Sequence, residues 1–313
     1  MPTTKSASLK TKLALLFTIL LWASAFPGIR AGLAGYSPGG MALLRFLVAS
    51  VCLFVIYVNL KKRPCRIPFK DGLLLLLIGA ATIGTYHIAL NYGEMTVSSG
   101  IASFIVSLSP IVTVIFAVLF LNERVSKTII VGILISVFGV GLMTLQGGGQ
   151  NFDFHVGLLC ILFSAFSSGI YSVLQKPFLK KYHVIDVTAY IMWGATLFLI
   201  AFTPDLYRDI ATAPLNATIA AVYLGIFPAA IAYLLWTYAL AGIPASRASV
   251  SMYFLPIVAT FLGWVWLGEV PTFISIIGGV TVLLGVWVVN QSYRMLSRSG
   301  PEEVQVVVET VKG

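Results

Sequence analysis

The chain has 313 residues, of which 58% are hydrophobic and 10% are charged, and its mean hydropathy is +0.96. A soluble domain carries about 25% charged residues, so this composition excludes a water-soluble globular protein. The net charge of +9 does not indicate a nucleic-acid partner, because the charges occupy short gaps between apolar runs and form no basic stripe. We therefore expect the lipid bilayer to surround most of the surface.

Ten apolar runs approach the length of about 20 residues that a membrane-spanning helix needs. They predict an all-α membrane protein with ten transmembrane helices, at Leu13–Leu33, Met41–Leu60, Gly72–Tyr92, Ser99–Leu121, Thr128–Gln146, Val156–Gln175, Val187–Phe202, Leu215–Leu240, Ala248–Leu267 and Phe273–Gln291. Thr203–Pro214 is predicted to be a loop. Ala23-Ser24-Ala25 also fits a signal-peptide cleavage site, but apolar character resumes up to Leu33, which favours an uncleaved first helix.

The sequence repeats itself without a gap at an offset of 146 residues. This register aligns Gly79 with Gly225, Tyr92 with Tyr238, Ala102-Ser103 with Ala248-Ser249, Pro110 with Pro256, Glu123 with Glu269, Gly132 with Gly278 and Gly139 with Gly285. The predicted repeats are residues 13–146 and 156–293, each with five helices. Because five is odd, the second repeat enters the membrane from the opposite side. Inverted repeats of this kind are typical of secondary transporters.

The distribution of lysine and arginine predicts the orientation. With the N-terminus in the cytoplasm, cytoplasmic segments hold 17 of these residues and external segments hold two, Arg30 and Arg208. Such a bias is what the positive-inside rule describes. It predicts that the N-terminal segment 1–12 and the tail 294–313 are both cytoplasmic, and that the linker 147–155 is extracytoplasmic.

Several short motifs resemble one family of membrane proteins. They are Leu21-Trp22-Ala23-Ser24-Ala25-Phe26, Leu44-Arg45-Phe46, Leu119-Phe120-Leu121-Asn122-Glu123-Arg124 and Val265-Trp266-Leu267-Gly268-Glu269. Over residues 10 to 293 the chain resembles the EamA family of the drug/metabolite transporter superfamily. The resemblance implies ten helices, a central cavity, a place in the bacterial inner membrane and export of amino acids or other metabolites.

Polar and aromatic residues on several predicted helices indicate a cavity for a small-molecule substrate, because polar side chains avoid lipid. The candidate substrate-binding residues are Trp22, His87, Asn91, Tyr92, Ser103, Tyr171, Gln175, Trp236, Tyr238 and Ser251. The alternative for each is an interhelical hydrogen bond, worth about 0.6 kcal/mol. His87 is the one group deep within a span that titrates near neutral pH. Transport is therefore predicted to be uncoupled from protons or coupled through His87.

Other features have two interpretations each. Pro110 and Pro256 are candidate hinges, with a static bend as the alternative. The glycines that recur seven residues apart suit close helix packing, within the monomer or in a homodimer. Glu123 and its repeat equivalent, Glu269, could form a proton site, but interfacial charges that close a helix hairpin are favoured. Arg45 could hold a substrate carboxylate, but a structural role is favoured.

The sequence contains no P-loop, GxSxG, HExxH or Cys/His metal motif. We therefore expect no cofactor, no metal and no enzyme activity. The function predicted is a secondary transporter, an exporter or exchanger of small metabolites with amino acids first. A transporter of phosphorylated or nucleotide-linked metabolites is one alternative, and a membrane-embedded enzyme or a sensor is another.

Overall fold

The computed structural model describes residues 8–59, 67–123, 126–144, 152–267 and 273–298, and every regular element within these ranges is helical. Glu269, the first part of the predicted linker 147–155 and most of the predicted tail lie outside these ranges.

The described residues form fifteen α-helices. These are α1 Leu9–Leu33, α2 Pro38–Asn59, α3 Phe69–Ile78, α4 Thr85–Glu94, α5 Ser99–Val106, α6 Ser109–Leu121, α7 Lys127–Thr144, α8 Phe152–Leu174, α9 Val184–Leu199, α10 Thr203–Ile210, α11 Leu215–Leu224, α12 Ala232–Gly242, α13 Ala245–Ser249, α14 Leu255–Leu267 and α15 Phe273–Arg298.

Eight continuous helical stretches of the described chain are long and apolar enough to cross a membrane. They are Leu9–Leu33, Pro38–Asn59, Phe69–Glu94, Ser99–Leu121, His155–Lys180, Val184–Ile210, Leu215–Gly242 and Ala245–Val265. The fifth and tenth predicted spans lie in α7 and α15, whose apolar segments Lys127–Gly139 and Ile276–Val289 are shorter than these eight stretches. The chain is thus an integral membrane protein, and the count of ten spans stays a prediction.

Four of these stretches are interrupted at two pairs of equivalent positions. A π-helical segment, Gly79–Gly84, joins α3 to α4, and another, Gly225–Ile231, joins α11 to α12. The stretch from α5 to α6 breaks just before Pro110, and a 3₁₀ segment, Val250–Phe254, precedes α14, whose second residue is Pro256. Proline cannot continue the hydrogen-bond ladder of a preceding helix, which explains the second pair of breaks. The sequence predicted this disruption at both prolines.

The two π-helical segments begin at glycines because neighbouring backbone passes close to them. A methyl group at Gly79 would lie 1.8 Å from the carbonyl oxygen of Ile191. A methyl group at Gly225 would lie 2.7 Å from the carbonyl oxygen of Arg45. Ile191 and Arg45 are themselves related by the offset of 146, so both halves use the same close contact.

Several residues contact their own equivalents in the other half. The hydroxyl oxygens of Ser50 and Thr196 lie 2.7 Å apart. The Ser136 hydroxyl donates to the carbonyl of Val282 at 3.5 Å. A position that meets its own copy lies near a two-fold axis, as at the interface of a symmetric dimer.

The glycines that recur seven residues apart bring α7 and α15 together within the monomer. A methyl group at Gly139 would lie 2.7 Å from the Gly278 carbonyl oxygen, and one at Gly132 would lie 2.8 Å from that of Gly285. Small residues let the two backbones approach in this way. Packing within the monomer accounts for these glycines, so they give no support to a homodimer.

The prediction of a loop at Thr203–Pro214 is wrong, because α10 occupies most of it. Pro204 stands in the first turn, Asp205 follows it, and Arg208 lies in the last turn. These are start and stop signals of a helix, and they outweigh its low hydrophobicity. α10 also supplies Asp209, whose carboxylate accepts from the backbone N–H of Ser37 at 2.8 Å and from the Ser37 hydroxyl at 2.6 Å, just before α2.

Candidate functional site

A narrow cavity lies among helices from both halves of the chain. α1, α2, α4, α5, α8, α12 and α14 and the 3₁₀ segment before α14 contribute its walls. The lining residues are Trp22, Ala25, Phe26, Ile29, Arg45, Tyr86, His87, Leu90, Val106, Ser168, Tyr171, Tyr233, Met252 and Leu255. The space open to the centre of a water molecule is about 20 Å³, which is room for little more than one water. A metabolite would need the surrounding helices to separate.

Aromatic rings form one wall of the cavity. The rings of Trp22 and Tyr233 lie 5.2 Å apart between centroids in an edge-to-face arrangement, and Tyr171 lies 5.7 Å from Tyr233 in the same arrangement. The indole N–H of Trp22 donates to the carbonyl of Pro228 at 3.1 Å. Pro228 belongs to the second π-helical segment, where the usual i to i−4 bonding is disrupted. The tryptophan is thereby fixed in orientation.

His87 joins the two halves of the chain across the cavity. Its Nε2 atom and the Tyr233 hydroxyl are 3.1 Å apart, and these residues are related by the offset of 146. The centroid of the imidazole lies 4.5 Å from that of the Tyr86 ring and 4.7 Å from that of the Phe46 ring. His87 is 2% exposed. It therefore makes an interhelical hydrogen bond and also lines the cavity.

Arg45 is the cationic member of the lining. It is 2% exposed, and its Nε and Nη1 atoms have no hydrogen-bond acceptor among the described residues. Glu94, at the end of α4, is also buried, 2% exposed. A buried cation with unused donors is unusual, because the desolvation of a charge is offset only by good pairing.

The structure brings three of the ten predicted substrate-binding residues to the cavity wall. They are Trp22, His87 and Tyr171. Trp236 is fully buried behind them, with its ring centroid 5.2 Å from that of Trp22. It therefore supports the aromatic wall and does not line the cavity.

Two buried amide side chains from the predicted set lie away from the cavity. The side-chain N–H of Asn91 donates to the carbonyl of Pro38 at 3.0 Å, at the start of α2. Gln175 accepts from the Thr237 hydroxyl at 3.2 Å through its Oε1 atom. Both amides thus form the interhelical hydrogen bonds that were the alternative interpretation.

Two serines from the predicted set bond within their own helical stretch. Ser103 donates to the carbonyl of Gly100 at 2.7 Å, and Ser251 donates to that of Ala248 at 2.7 Å. Neither residue lines the cavity.

Tyr92 and Tyr238 lie on the outer faces of their helices, 47% and 42% exposed. Each follows a cavity-lining residue, His87 or Tyr233, by five positions. An α-helix turns about 100° per residue, so five positions place a side chain about 140° away from the starting one. The match between Tyr92 and Tyr238 in the repeat therefore does not bring either residue to the cavity.

The lining also contains four polar residues that are not among the ten candidates, namely Arg45, Tyr86, Ser168 and Tyr233. A charged residue inside a span is itself a signal of function, and this pointed to Arg45. The repeat offset also identifies Tyr233 as the partner of His87, since residues near a two-fold axis meet their equivalents.

Comparison with known proteins agrees with this architecture. The described fold and its central cavity define a polytopic helical membrane protein built from two homologous halves. The EamA-like transporter family matches residues 9–145 and again 155–291, so the two copies are offset by 146 residues at both ends. The chain belongs to the EamA-like transporter family.

Individual relatives are similar along most of their length. The chain is 40% identical over 267 residues to the uncharacterized transporter YdfC of Bacillus subtilis (strain 168), covering 85% of this chain and 86% of that protein. It is 36% identical over 278 residues to a probable terminal-alkyne amino-acid exporter of Streptantibioticus cattleyicolor, covering 89% and 92%. A solved crystal structure superposes with a TM-score of 0.72 at 20% identity, covering 92% of this chain and 99% of the other.

Proposed function

We propose that this protein is a secondary transporter, an exporter or exchanger, that moves small metabolites through the central cavity by alternating access. The observation that carries the proposal is a cavity lined by both homologous halves, in which the space open to the centre of a water molecule is about 20 Å³. Moving the halves relative to each other is the natural way to open such a site to one side at a time.

The proposed architecture is ten transmembrane helices in two inverted five-helix repeats, residues 13–146 and 156–293. Two observations support it. The π-helical segments and the proline breaks occur at equivalent positions in both halves. Ser50 and Thr196 contact each other across the offset of 146. Pro110 and Pro256 are the proposed hinges, because each follows a break between two helical pieces. The proposed location is the bacterial inner membrane, with both termini in the cytoplasm.

Amino acids are the proposed cargo. The relative from Streptantibioticus cattleyicolor, named as a probable amino-acid exporter, supports this class. The proposed contacts in this chain are Trp22, His87 and Tyr171. Their rings offer apolar area with a few fixed polar atoms, the usual composition of a small-molecule site.

The runner-up cargo, a phosphorylated or nucleotide-linked metabolite, fits less well. A phosphate group calls for several cationic or N–H donors. Arg45 is the one arginine or lysine among the residues that line the described cavity.

Reconstitution into proteoliposomes tests the function. Vesicles are loaded with a panel of labelled amino acids and other small metabolites, and efflux, uptake and exchange are measured. We expect selective flux for amino acids and a reduction of about 2- to 10-fold in Trp22→Phe, which loses the hydrogen bond to Pro228.

Trp264→Phe is the matched control, because Trp264 is 48% exposed and lies outside the cavity lining. We expect its flux to equal that of the unmodified protein. Substrate binding or chemical turnover without movement across the membrane would contradict a transport function.

A further inference from the structure

We propose that Arg45 is the anion-binding group of the cavity and that it holds the carboxylate of the cargo. This inference rests on the proposed transport function and gives the cavity a specific polar contact. It goes beyond the aromatic contacts of Trp22, His87 and Tyr171.

The first argument is the state of the guanidinium itself. Arg45 is 2% exposed, so water does not solvate it freely, and its Nε and Nη1 atoms have no acceptor among the described residues. Leaving charged donors unpaired in an apolar interior is costly. Each of these two N–H groups can donate a charge-assisted hydrogen bond to a carboxylate oxygen.

The second argument is where Arg45 lies. It lines the same cavity as Trp22, Tyr171 and Tyr233. A cargo with its carboxylate at Arg45 would place its remaining part against these rings. The cavity therefore fits an organic acid or amino acid with an apolar body.

The third argument concerns charge within the bundle. Arg45 is the one arginine or lysine among the lining residues, and Glu94, 2% exposed, lies on α4, which also contributes to the cavity wall. A zwitterionic amino acid adds no net charge to this arrangement, whereas a dianionic phosphate adds two negative charges. Because uncompensated charge inside a membrane protein is costly, the arrangement favours a cargo with one carboxylate and no further net negative charge.

The test compares four probes that share one apolar body. They are L-phenylalanine, 3-phenylpropanoate, L-phenylalaninamide and 2-phenylethylamine, and the first two carry a carboxylate. Binding to the purified full chain is followed by the fluorescence of its tryptophans, and flux is followed in proteoliposomes. We expect the unmodified protein to bind the two carboxylates at least about 10-fold more tightly than the amide and the amine.

Arg45→Gln should lower the affinity for both carboxylates by about 10- to 100-fold and leave that for the amide unchanged. Arg45→Lys keeps the charge but loses the planar guanidinium. Its affinity for the two carboxylates should lie between that of the unmodified protein and that of Arg45→Gln. Arg30→Gln is the matched control. Arg30, on α1, has the same guanidinium group as Arg45, but it is exposed and its guanidinium donates to the Val97 carbonyl at 3.2 Å.

Two results would overturn the assignment. One is equal affinity of the unmodified protein for L-phenylalanine and L-phenylalaninamide, a comparison that stands even if the Arg45 variants do not fold. The other is a folded Arg45→Gln variant that still prefers carboxylates. Flux restricted to the amine or the amide would refute the carboxylate site and leave transport intact. Binding of carboxylates through Arg45 without any flux would refute transport and leave the site intact.

Discussion

Tyr233 is the residue through which the aromatic wall, His87 and the two halves of the chain connect. Its ring packs against Trp22 and Tyr171, and its hydroxyl lies 3.1 Å from the imidazole Nε2 of His87. We expect Tyr233→Phe to keep the ring packing, to lower the free energy of unfolding by about 0.5–1.5 kcal/mol and to change flux. Thermal unfolding in detergent and efflux from proteoliposomes measure the two effects.

Tyr238→Phe on the same helix is the control for this substitution. Tyr238 is 42% exposed on the outer face, so its hydroxyl is expected to contribute neither to the cavity nor to stability. Equal effects of the two substitutions would show that the cavity contact of Tyr233 has no special role.

His87→Gln tests energy coupling. We predict that transport either runs down the cargo gradient or by exchange, or is driven by protons through His87. In the second case the variant should lose proton-driven accumulation, because glutamine does not titrate, and should retain downhill flux. Accumulation against a gradient is measured with an imposed pH difference. Full proton-driven accumulation in His87→Gln would transfer the role to another group, with Glu94 the next to test.

At the residue scale, the sequence predicts more reliably which polar residues are buried than which neighbour each buried side chain contacts. His87 and Tyr171 were predicted for the cavity and line it. Asn91 lies four residues after His87 and is buried, yet its side-chain N–H donates to the Pro38 carbonyl. Which neighbour a buried amide meets depends on the packing of α2 against α4, and helical spacing alone carries no information about that packing.

At the element scale, the contact between α7 and α15 depends on backbone proximity. A methyl group at Gly139 would lie 2.7 Å from the Gly278 carbonyl oxygen, so Gly139→Ala forces the two helices apart. We expect a loss of about 1–3 kcal/mol in the free energy of unfolding, the usual cost of overpacking. Thermal unfolding in detergent measures it.

Gly141→Ala in the same helix is the comparison. There the added methyl group would meet no atom of the described residues within 4 Å. Since alanine favours a helix over glycine by about 0.8–1.0 kcal/mol, this variant is expected to be neutral or more stable. A loss of stability in both variants would mean that helix contact is not the cause.

Glu123 joins α6 to the start of α13 through three hydrogen bonds. Its carboxylate accepts from the backbone N–H groups of Ala245 at 2.8 Å and Ser246 at 3.1 Å, and from the Ser246 hydroxyl at 2.5 Å. We expect Glu123→Gln to weaken this cap, with a loss of about 1–2 kcal/mol in the free energy of unfolding. The control is Asp205→Asn on exposed α10, whose partner is Arg208. A Glu123→Gln variant as stable as this control would argue against the cap.

Interruptions of the helices were predictable where a single residue type, such as proline, restricts the backbone. Proline removes a donor wherever it stands, so the breaks before Pro110 and Pro256 follow directly from the sequence. The π-helical segments at Gly79 and Gly225 do not, because they accommodate the close passage of Ile191 and Arg45. α10 was predicted to be a loop because its segment has low hydrophobicity, although the segment carries helix start and stop signals.

For the whole molecule, the distribution of lysine and arginine gives a direct test of topology. Cytoplasmic termini and an external linker place a reporter fused at Gln150 on the opposite side of the membrane from one at the C-terminus. Paired reporters active on opposite sides, such as a periplasmic phosphatase and a cytoplasmic fluorescent protein, are expected to give complementary signals. Signals on the same side would refute both the orientation and the even number of spans.

The organisation into two halves was predictable because it depends on a register within the sequence. The offset of 146 found in the sequence is also the offset between the two matches to the EamA-like transporter family. The cavity was only partly predictable, because its walls combine residues from seven α-helices whose mutual rotation no single helix determines.

The pairs His87 with Tyr233 and Ser50 with Thr196 show what a single chain with two homologous halves can do. In a dimer of two identical half-length subunits, each such pair would be one residue type facing itself. Two histidines or two tyrosines could then meet, but never an imidazole and a phenol. Joining the halves in one chain therefore lets two different side chains occupy positions at which identical subunits must place the same side chain twice.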